Sequence, residues 1–320
     1  MSELPEADGW QFEPKWDGFR GILENEHGEP ALWSRNARPL LRYFPELTRV
    51  AELLPPHSAL DGEIVIEREG RLDFDALQMR LHPAESRVRK LAAEMPSDYV
   101  VFDVLLWDGD EIHRLPLEER RAALEQRAGG LRISPVSPDR SQADEWLDRL
   151  EAAGLDGVVC KRLGLPYLPG SREGAVKVKR RKTADCVVVG IRWKAKPDRI
   201  ATLLLGLYDE EGKLHYVGTA AVAPRRHAEI AERVLPLLEN APDRRFSEPS
   251  RWGTGELEED AVRPELVVEV EFDKVQGWRF RHGTRLLRFR PDKDPAQCTW
   301  AEVRPPRRPD DLTVEQLLGR

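Results

Sequence analysis

The sequence predicts an α+β protein of two domains, the second of which is a small β-barrel of the OB type. A length of 320 residues fits two domains of common size. Up to Lys182, short apolar runs bounded by turn residues alternate with amphipathic helical stretches. Beyond Lys182, strand-like runs follow one another at meander-like spacing around a single helix. We therefore place the boundary within residues 182–186 and expect domains at 1–183 and 184–320.

The first domain is predicted to mix strands and helices. Its strands are expected at 19–24, 30–34, 59–67, 99–107, 157–161 and 175–179, and its helices at 74–81 and 141–153. Apolar residues recur at helical spacing in both helices, and Ser141 is the expected N-cap of the second one.

The second domain is predicted to be rich in β-structure. Its strands are expected at 184–193, 200–208, 214–222 and 265–272, with one amphipathic helix at 225–239. Several short strands with one helix over a segment of this length are typical of an OB barrel. From Pro305 onward we expect a loosely held end with a short helix at 314–318.

The composition excludes several classes of protein. Apolar residues make up 40% of the chain, which is enough to form a sizeable core. No run approaches the roughly 18 apolar residues of a membrane span, and the start has no basic segment followed by an apolar one. Three scattered cysteines form neither a disulfide framework nor a zinc motif. A cytoplasmic protein is expected, and a net charge of −7, taken alone, argues against nucleic-acid binding.

The segment from Glu13 to Arg20 contains the pattern Lys-x-Asp-Gly-x-Arg. A lysine at the end of a strand, followed by a glycine turn, can point into a cleft, and its amine can attack phosphorus when it is held neutral. Asp17 is a candidate to orient that lysine or a metal, and Arg20 a candidate to hold a phosphate or ribose. The alternative is a surface loop with a Lys–Asp ion pair.

Three further segments carry candidate site residues, each with a structural alternative. Asp61-Gly-Glu63 begins an apolar strand, where a carboxylate suits a ribose hydroxyl or a divalent metal, unless it is only a turn. Phe102 is either a core residue or a platform for a purine. Lys177 and Lys179 share one strand face, which fits a polyphosphate or a solvated edge strand.

In order and spacing, these segments resemble the collinear motifs of the covalent nucleotidyltransferases, which include DNA ligases and RNA capping enzymes. The motifs that carry the resemblance are Lys15-Trp-Asp17-Gly-Phe-Arg20, Ser34-Arg35-Asn36 with Phe44-Pro-Glu-Leu47, Asp61-Gly-Glu63, Phe102-Asp103, Asp156-Gly-Val-Val-Cys-Lys161, Lys177-Val-Lys179 and Arg290-Pro-Asp292-Lys293. Asp156 occupies a position that more commonly holds Glu in this superfamily. The chain is most similar to the short bacterial ATP-dependent DNA ligases, relatives of the ligase module of bacterial end joining.

The resemblance implies an adenylation (nucleotidyltransferase, ATP-grasp-like) domain followed by an OB domain, and a three-step reaction. Lys15 would attack the α-phosphate of ATP and release pyrophosphate. AMP would then pass to a DNA 5′-phosphate, and the 3′-hydroxyl would displace it. The cofactors implied are ATP and a divalent metal, Mg²⁺ or Mn²⁺.

The resemblance also assigns roles residue by residue. The ATP- or AMP-binding residues would be Glu13 and Phe102 at adenine, Glu63 at ribose, Arg20 and Arg35 at ribose or phosphate, Lys161, Lys177 and Lys179 around the α-phosphate, and Arg290 and Lys293 at the β,γ-phosphates, with Arg172 as a further nucleotide-binding residue. The metal would be placed by Asp17, Glu63 and Asp156. The OB domain would close for the first step and turn away to clamp DNA for the later ones.

Three alternative functions were weighed. An RNA capping guanylyltransferase shares the two-domain plan and the Arg-x-Asp-Lys motif, and an RNA ligase belongs to the same superfamily. A non-catalytic OB-type nucleic-acid-binding protein would not need Lys15 with its carboxylate and lysine partners. An NAD-dependent ligase is excluded because only 14 residues precede Lys15 and no four-cysteine zinc site follows.

Local charge changes what the net charge implies about partners. Two basic clusters stand out, 177–182 and the series Arg279, Arg281, Arg285, Arg288, Arg290 and Lys293. A local basic stripe is enough to engage phosphates. We therefore expect salt-sensitive, weak binding to intact duplex and tighter binding at a phosphate-bearing break. The expected partners are nicked or broken DNA and end-binding or polymerase repair proteins, with no membrane, and the family implies a monomer that associates with the nucleoid when bound to DNA.

Overall fold

The computed structural model describes residues 3–6, 8–127, 129–171, 173–195, 199–239, 258–304 and 308–319. The chain divides into two compact units. The first comprises Met1–Arg180 together with Arg307–Arg320, and the second comprises Arg181–Pro306. No helix in the described part of the chain is long and apolar enough to cross a membrane.

The first unit holds ten strands and six helices among its described residues. The strands are β1 (Trp10–Pro14), β2 (Phe19–Glu26), β3 (Glu29–Ser34), β4 (Ser58–Val65), β5 (Glu67–Arg68), β6 (Arg71–Leu72), β7 (Asp98–Leu106), β8 (Arg132–Ile133), β9 (Val158–Arg162) and β10 (Ala175–Val178). The helices are α1 (Thr48–Ala51), α2 (Phe74–Met79), α3 (Glu85–Glu94), α4 (Leu117–Arg127), α5 (Arg140–Arg149) and, at the chain end, Val314–Leu317. Short 3₁₀ turns lie at Leu41–Tyr43, Pro45–Leu47 and Ile112–Arg114.

A five-stranded sheet forms the centre of the first unit, in the order β3-β2-β4-β7-β8. Its pairs are antiparallel except that β8 runs parallel to β7. The middle strands approach closely at Gly21 and Gly62, which are paired in register. The buried hydroxyl of Tyr99 donates to Gly21 O (2.7 Å) and Leu60 O (2.9 Å) and so ties β7 across β4 to β2.

A separate three-stranded antiparallel sheet, β1-β9-β10, carries several of the predicted motifs. Its register places Glu13 opposite Val159 and Lys177 opposite Val159 on the other side. On one face of this sheet, the side chains of Val158, Cys160 and Val178 are fully buried. Alternation along these strands turns the charged side chains away from that core, toward the candidate site.

The last residues of the chain pack onto the first unit. Val314 is 1% exposed and belongs to the same apolar cluster as Trp16 and Trp146. Leu312 N–H donates to Arg149 O and Val314 N–H donates to Gly70 O. From the sequence, residues 307–320 are predicted to belong to the second domain, whereas in the structure they belong to the first unit, because burial of an apolar helix face there outweighs closeness along the chain.

Among its described residues, the second unit consists of β-strands and one α-helix. Its strands are β11 (Lys182–Ala195), β12 (Arg199–Tyr208), β13 (Leu214–Ala221), β14 (Leu238–Glu239), β15 (Glu259–Val262), β16 (Val267–Phe272), β17 (Val275–Gln276), β18 (Arg279–Phe280) and β19 (Arg285–Phe289), and its helix is α6 (His227–Val234). Short 3₁₀ turns lie at Pro224–Arg226, Leu235–Leu237, Pro295–Gln297 and Trp300–Glu302. The helix at the chain end, Val314–Leu317, is α7.

The strands of the second unit pair in the path β13-β12-β11-β15-β14, and β16 joins β11 to β19. An isolated parallel bridge links Ala220, in β13, to Thr284, which precedes β19. Ile230 and Val234 of α6 are fully buried in the same core as these strands. The pattern of short strands around one helix that the sequence predicts is present.

The element boundaries differ from the sequence prediction in identifiable ways. The predicted helix 225–239 is helical in α6 only as far as Val234, and Leu238–Glu239 is the strand β14. Pro236 explains this end, because proline has no N–H to donate and clashes with the preceding turn. Helix α5 begins at Arg140, and its N-cap is Asp139, whose side chain accepts from Ser141 N–H (2.8 Å), rather than Ser141.

Three helices, α1, α3 and α4, were not predicted, and burial explains the omission of the two longer ones. Helix α3 fully buries only Val88 and leaves Leu91 and Ala92 half-buried among charged residues, so its apolar face is narrow. Helix α4 buries Leu117, Ala123 and Leu124, but its stripe is interrupted by the buried Arg120. Arg120 forms a two-bond ion pair with Asp103 of β7 (2.8 and 3.0 Å). A charge in the buried stripe hides the helical period that apolar residues would otherwise show.

Candidate active site

Lys15 lies directly after β1, and the pairing of β1 with β9 sets its position. Its backbone N–H donates to Gly157 O (2.8 Å), and its carbonyl accepts from Asp156 N–H (3.0 Å). Its side-chain Nζ lies 2.5 Å from Asp156 Oδ2. Two motifs that are far apart in the sequence therefore meet at this point.

Asp156 holds a second lysine as well. Lys179 Nζ lies 2.6 Å from the same Oδ2. Burial alone would raise the pKa of Asp156, but the ammonium groups of Lys15 and Lys179 outweigh it and hold that pKa below its usual value. Strand β10 ends at Val178, so Lys179 is placed by Asp156 rather than by a strand face shared with Lys177.

The glycines of the motifs permit backbone contacts that a larger residue would block. At Gly157, with φ of +129°, a Cβ atom would lie 2.2 Å from Val178 O. At Gly18, a Cβ atom would lie 2.0 Å from Ile64 O. Real Cβ atoms do not approach this closely, so glycine is required by the packing of β10 at Gly157, which follows Asp156, and by the packing of β4 at Gly18, which follows the Lys15 turn.

Glu13, Lys161 and Phe102 form the next layer of the site. Glu13 is 2% exposed, and Lys161 Nζ lies 2.9 Å from its Oε1. Burial raises the pKa of Glu13 even though Lys161 opposes the shift. Lys161 Nζ also donates to Phe102 O (3.2 Å) and lies 4.9 Å from the centre of its half-buried ring. Lys161, predicted at the α-phosphate, thus contacts both residues predicted at adenine.

Arg20 is fixed by two groups, only one of which belongs to a predicted motif. It donates to both carboxylate oxygens of the fully buried Asp61 (3.0 and 2.5 Å). It also donates to the hydroxyl of Tyr167 (2.9 Å), which in turn donates to Asp61 Oδ2 (2.7 Å). Burial raises the pKa of Tyr167, so its hydroxyl stays protonated. The sequence analysis assigned no role to Tyr167 or Asp61; the Asp-Gly-Glu motif was the available signal for Asp61.

Glu63 and Asp17 lie near the turn after β1. Glu63 Oε1 accepts from Gly18 N–H (3.1 Å), and Glu63 is paired with Arg20 in the register of β2 and β4. Burial raises the pKa of Glu63 to about 7, although Lys15 and the Gly18 N–H oppose it. Asp17 is 7% exposed. The contact of Glu63 with Gly18 N–H and the charge of Lys15 therefore do not fully offset the cost of removing its carboxyl group from water.

Lys177 is exposed on β10. Desolvation lowers its pKa, and the positive charges of neighbouring cations lower it further. These cations are Lys15, Arg20 and Arg35. Mutual repulsion of this kind is relieved by an anion, which is the chemistry expected for a polyphosphate site. Arg35 is exposed, and Arg172 lies outside the described residues.

In the second unit, Arg290 and Lys293 converge on one carboxylate. Arg290 donates to both oxygens of Asp185 (3.0 and 2.9 Å), and Lys293 Nζ donates to Asp185 Oδ2 (2.9 Å). Arg290 also pairs with Asp292 and lowers its pKa to about 2, and Lys293 pairs with Glu302. The motif side chains are therefore held in a network of ion pairs within this unit.

One three-residue group of potential metal ligands lies outside this site. Within the described ranges, the group whose ligand atoms all lie within 4.8 Å of one another is Glu26, His27 and His57, all exposed. The residues predicted to place a metal, Asp17, Glu63 and Asp156, do not form such a compact group among the described residues. Their carboxylate oxygens are nevertheless of the type that Mg²⁺ and Mn²⁺ prefer.

Comparison with known proteins gives the family. Residues 2–179 match the family model of the ATP dependent DNA ligase domain, and residues 196–293 match that of the ATP dependent DNA ligase C terminal region. The chain is 41% identical to DNA ligase C2 of Mycolicibacterium smegmatis, covering 98% of this chain and 94% of that one. It is 40% identical to DNA ligase C of Mycobacterium tuberculosis, covering 92% and 89%.

A solved structure from a study of Lig E DNA ligases has a similar fold. The TM-score is 0.56, with 14% sequence identity, and the match covers 90% of this chain and 97% of that one. At this identity the likeness concerns the fold alone, a nucleotidyltransferase domain followed by an OB-type domain. Together with the two family models and the bacterial relatives, it shows that the chain belongs to the family of ATP-dependent DNA ligases and is of the short bacterial type.

Proposed function

We propose that Lys15 is the residue that carries AMP in the reaction of this ATP-dependent DNA ligase. The observation that supports this most directly is the contact of Lys15 Nζ with Asp156 at 2.5 Å, beside Lys179 and in the field of Arg20 and Lys177. The pair rests as an ammonium and a carboxylate. Attack on phosphorus requires that Nζ first lose one proton, which the contacting carboxylate of Asp156 is placed to accept and pass to solvent. The Nζ–P bond then forms as the bond from the α-phosphorus to pyrophosphate breaks.

The nucleotide is proposed to lie against the residues that surround Lys15. Glu13 and Phe102 are assigned to adenine, and the buried, oriented Glu13 supports this, because a fixed polar group beside an aromatic face suits a base. Glu63 is assigned to ribose. The cations assigned to ribose or phosphate are Arg20, Arg35, Lys161, Lys177 and Lys179, with Arg172 as a further nucleotide-binding residue. Cations fixed in advance stabilise charge that develops on the phosphate oxygens in the transition state.

A divalent metal, Mg²⁺ or Mn²⁺, is proposed to be held by Asp17, Glu63 and Asp156. The raised pKa of Glu63 supports this assignment, because a buried carboxyl group with little compensation gains from a nearby cation. When bound, such an ion supplies charge neutralisation at the phosphates. The carboxylates of this chain would orient it and, in the case of Asp156, also keep Lys15 and Lys179 in place.

The substrate is proposed to be a nick or break in duplex DNA with a 5′-phosphate and a 3′-hydroxyl. AMP passes from Lys15 to the 5′-phosphate with cleavage of the N–P bond, and the 3′-hydroxyl then forms the phosphodiester as AMP leaves. A role in DNA repair, end-binding or polymerase proteins as partners, a monomeric state and a cytoplasmic location at the nucleoid remain predictions from the resemblance.

We also propose a more specific fold for each of the two units. We infer that the second unit is a closed OB barrel. The bridge between Ala220 and Thr284 supports closure, because it links β13 to the strand that β16 joins to β11. The first unit is assigned the nucleotidyltransferase fold with an ATP-grasp-like plan, with the domains at 1–183 and 184–320 apart from the chain end described above.

The experiment that tests the proposal uses ATP labelled at the α-phosphate. The protein is incubated with this ATP and a divalent metal and is then resolved under denaturing conditions. We expect an acid-labile label on the wild-type chain and none on Lys15→Ala, because the proposal assigns the N–P bond to Lys15 Nζ and gives the neighbouring Lys179 only a role at the phosphates.

The matched control is Lys90→Ala, which removes an exposed lysine of α3 that pairs with Glu94 (3.7 Å). This variant should label like the wild type. A label that persists in Lys15→Ala, or a wild-type chain that takes up no label, contradicts the proposal. Competition with unlabelled GTP checks the capping alternative, since only unlabelled ATP should reduce the signal.

A further inference from the structure

The hairpin of β17 and β18 presents Trp278 at its turn. Trp278 is 61% exposed and is the most exposed large hydrophobic side chain among the residues that the structure describes. A single exposed apolar residue needs no special explanation. The residues around Trp278 therefore determine whether its exposed ring can serve as a binding surface.

The ring of Trp278 is held by other planar groups. The Trp300 ring lies edge-on to it at 5.0 Å, and the His215 ring stacks at 6.2 Å with 29° between the planes. The guanidinium carbon of Arg304 lies 4.9 Å from the centres of both tryptophan rings. Trp300 is 8% exposed and anchors the group to the core of the second unit. Trp278 thus keeps a fixed orientation while much of its surface stays open.

Positive charge surrounds this aromatic group. Arg279 and Arg281 follow Trp278 in the hairpin, and Arg304 packs against its ring. Arg279 lies 5.2 Å from the ring of Tyr216, which extends the alternation of aromatic and cationic groups. Two nearby carboxylates contact histidines: Asp209 Oδ2 lies 2.6 Å from His215 Nε2, and Asp273 Oδ2 lies 3.3 Å from His282 Nδ1.

A fixed aromatic face among arginines matches the chemistry of an unpaired nucleotide. Bases stack on aromatic side chains without regard to sequence, and arginines contact the adjoining phosphates. The charge around Trp278 therefore favours a nucleic-acid strand.

We propose that Trp278 is a stacking site for an unpaired base of single-stranded DNA, with Arg279, Arg281 and Arg304 at the neighbouring phosphates. This inference rests on the proposed function, in which DNA is the substrate. It adds a substrate class: DNA breaks that carry an unpaired overhang or frayed bases bind more tightly than fully paired ones. Unpaired bases offer a free face at no cost in unstacking a duplex.

The test compares full-length wild-type protein with Trp278→Ala and Trp278→Phe. Binding to a short fluorescent oligothymidylate is followed by anisotropy at low salt. We expect about a tenfold loss of affinity in Trp278→Ala, in line with about 1–3 kcal/mol for one base–aromatic stack, and near wild-type binding in Trp278→Phe. The matched control is Trp33→Ala on β3, which removes a 36% exposed tryptophan whose indole donates to Glu24 (2.8 Å).

Self-adenylation with labelled ATP is measured on the same samples and separates the two proposals. Normal labelling of Trp278→Ala with weakened oligonucleotide binding supports the stacking site. Equal affinity of Trp278→Ala and wild type, or no oligonucleotide binding by wild type, overturns it and leaves a packing or protein-contact surface. Absence of labelling in the wild type contradicts the proposed function alone. If Trp278→Ala does not fold, Trp278→Leu, which retains apolar packing on Trp300 but lacks a π-face, carries the same comparison.

Discussion

At the scale of single residues, three buried or nearly buried aspartates each hold two other groups. Asp156 bridges Lys15 and Lys179, Asp61 bridges Arg20 and Tyr167, and Asp185 bridges Arg290 and Lys293. Removing one member of a buried ion pair typically costs about 3–5 kcal/mol, because the remaining charge is left unpaired. These aspartates therefore position the cations of the motifs. Their negative charge also offsets the repulsion among the cations that lie close together within each unit.

Glu13 gives a pH-dependent prediction at this scale. Its pKa is raised by burial, so the folded chain keeps the proton to a higher pH than the unfolded chain, whose pKa is near 4.5. Stability contributed by this group is present below pH 4.5 and is lost as pH rises through the folded pKa. Within that window each pH unit removes about 1.4 kcal/mol. Glu13→Gln does not titrate there, so its stability should improve relative to wild type as pH rises.

Urea unfolding of both proteins at a series of pH values from 4.5 to neutral measures this difference. Glu119→Gln, which changes an exposed glutamate of α4, is the control and should run parallel to wild type. Parallel curves for Glu13→Gln and wild type would show that burial does not retain the proton on Glu13. The comparison does not depend on ATP or DNA, and it therefore tests the electrostatics of the site apart from its chemistry.

At the scale of elements, the strand register assembles the site from motifs that lie far apart in the sequence. Pairing of β1 with β9 brings Lys15 to Asp156, and a diagonal contact across the same pair brings Glu13 to Lys161. Alternation and Asp-Gly turns are local signals, and on them the sequence predicted β9, whereas it predicted no strand at β1 and indicated only that Lys15 would follow a strand. It did not predict Tyr167 against Arg20, because that contact depends on how a long loop between β9 and β10 folds back.

Gly157 gives the prediction at this scale. A Cβ atom at this position would meet Val178 O at 2.2 Å, and its φ of +129° disfavours any side chain. Gly157→Ala should lower the free energy of unfolding by about 2 kcal/mol or more and should reduce self-adenylation, because Lys15 N–H donates to Gly157 O. Urea unfolding and labelling with α-labelled ATP measure the two effects.

The control for this prediction is Gly164→Ala, in the loop between β9 and β10. Gly164 also has a positive φ, of +76°, but nothing lies within 4 Å of an added Cβ. This variant carries only the conformational cost, about 1–2 kcal/mol, and should keep its self-adenylation. If the two variants lose the same stability and activity, the close approach of β10 to Gly157 is not what requires the glycine.

At the scale of the whole molecule, the sequence predicted the two-part plan better than the limits of the parts. The change after Lys182 from alternating strands and helices to closely spaced strand-like runs coincides with the start of β11 to within a few residues. The chain end was grouped with the second part, since proximity in sequence is all that composition offers there. The chain end packs on the first unit because Val314 is buried there. A four-residue helix is too short for its sequence pattern to predict such a tertiary contact.

The second unit contributes the last prediction, which concerns the division of the reaction into steps. Lys293, held by Asp185 and Glu302, is assigned to the β,γ-phosphates, which are present only before pyrophosphate leaves. Lys293→Ala should therefore impair self-adenylation by about 10–100-fold, the loss expected for a charged hydrogen bond of about 1.5–3 kcal/mol, and should impair sealing of pre-adenylated nicked DNA much less. Lys213→Ala, at the exposed turn before β13, is the control and should affect neither assay. Equal losses in both assays would contradict this prediction. They would mean that Lys293 stabilises the second unit through its ion pairs with Asp185 and Glu302, so that its loss weakens every step in which the unit takes part.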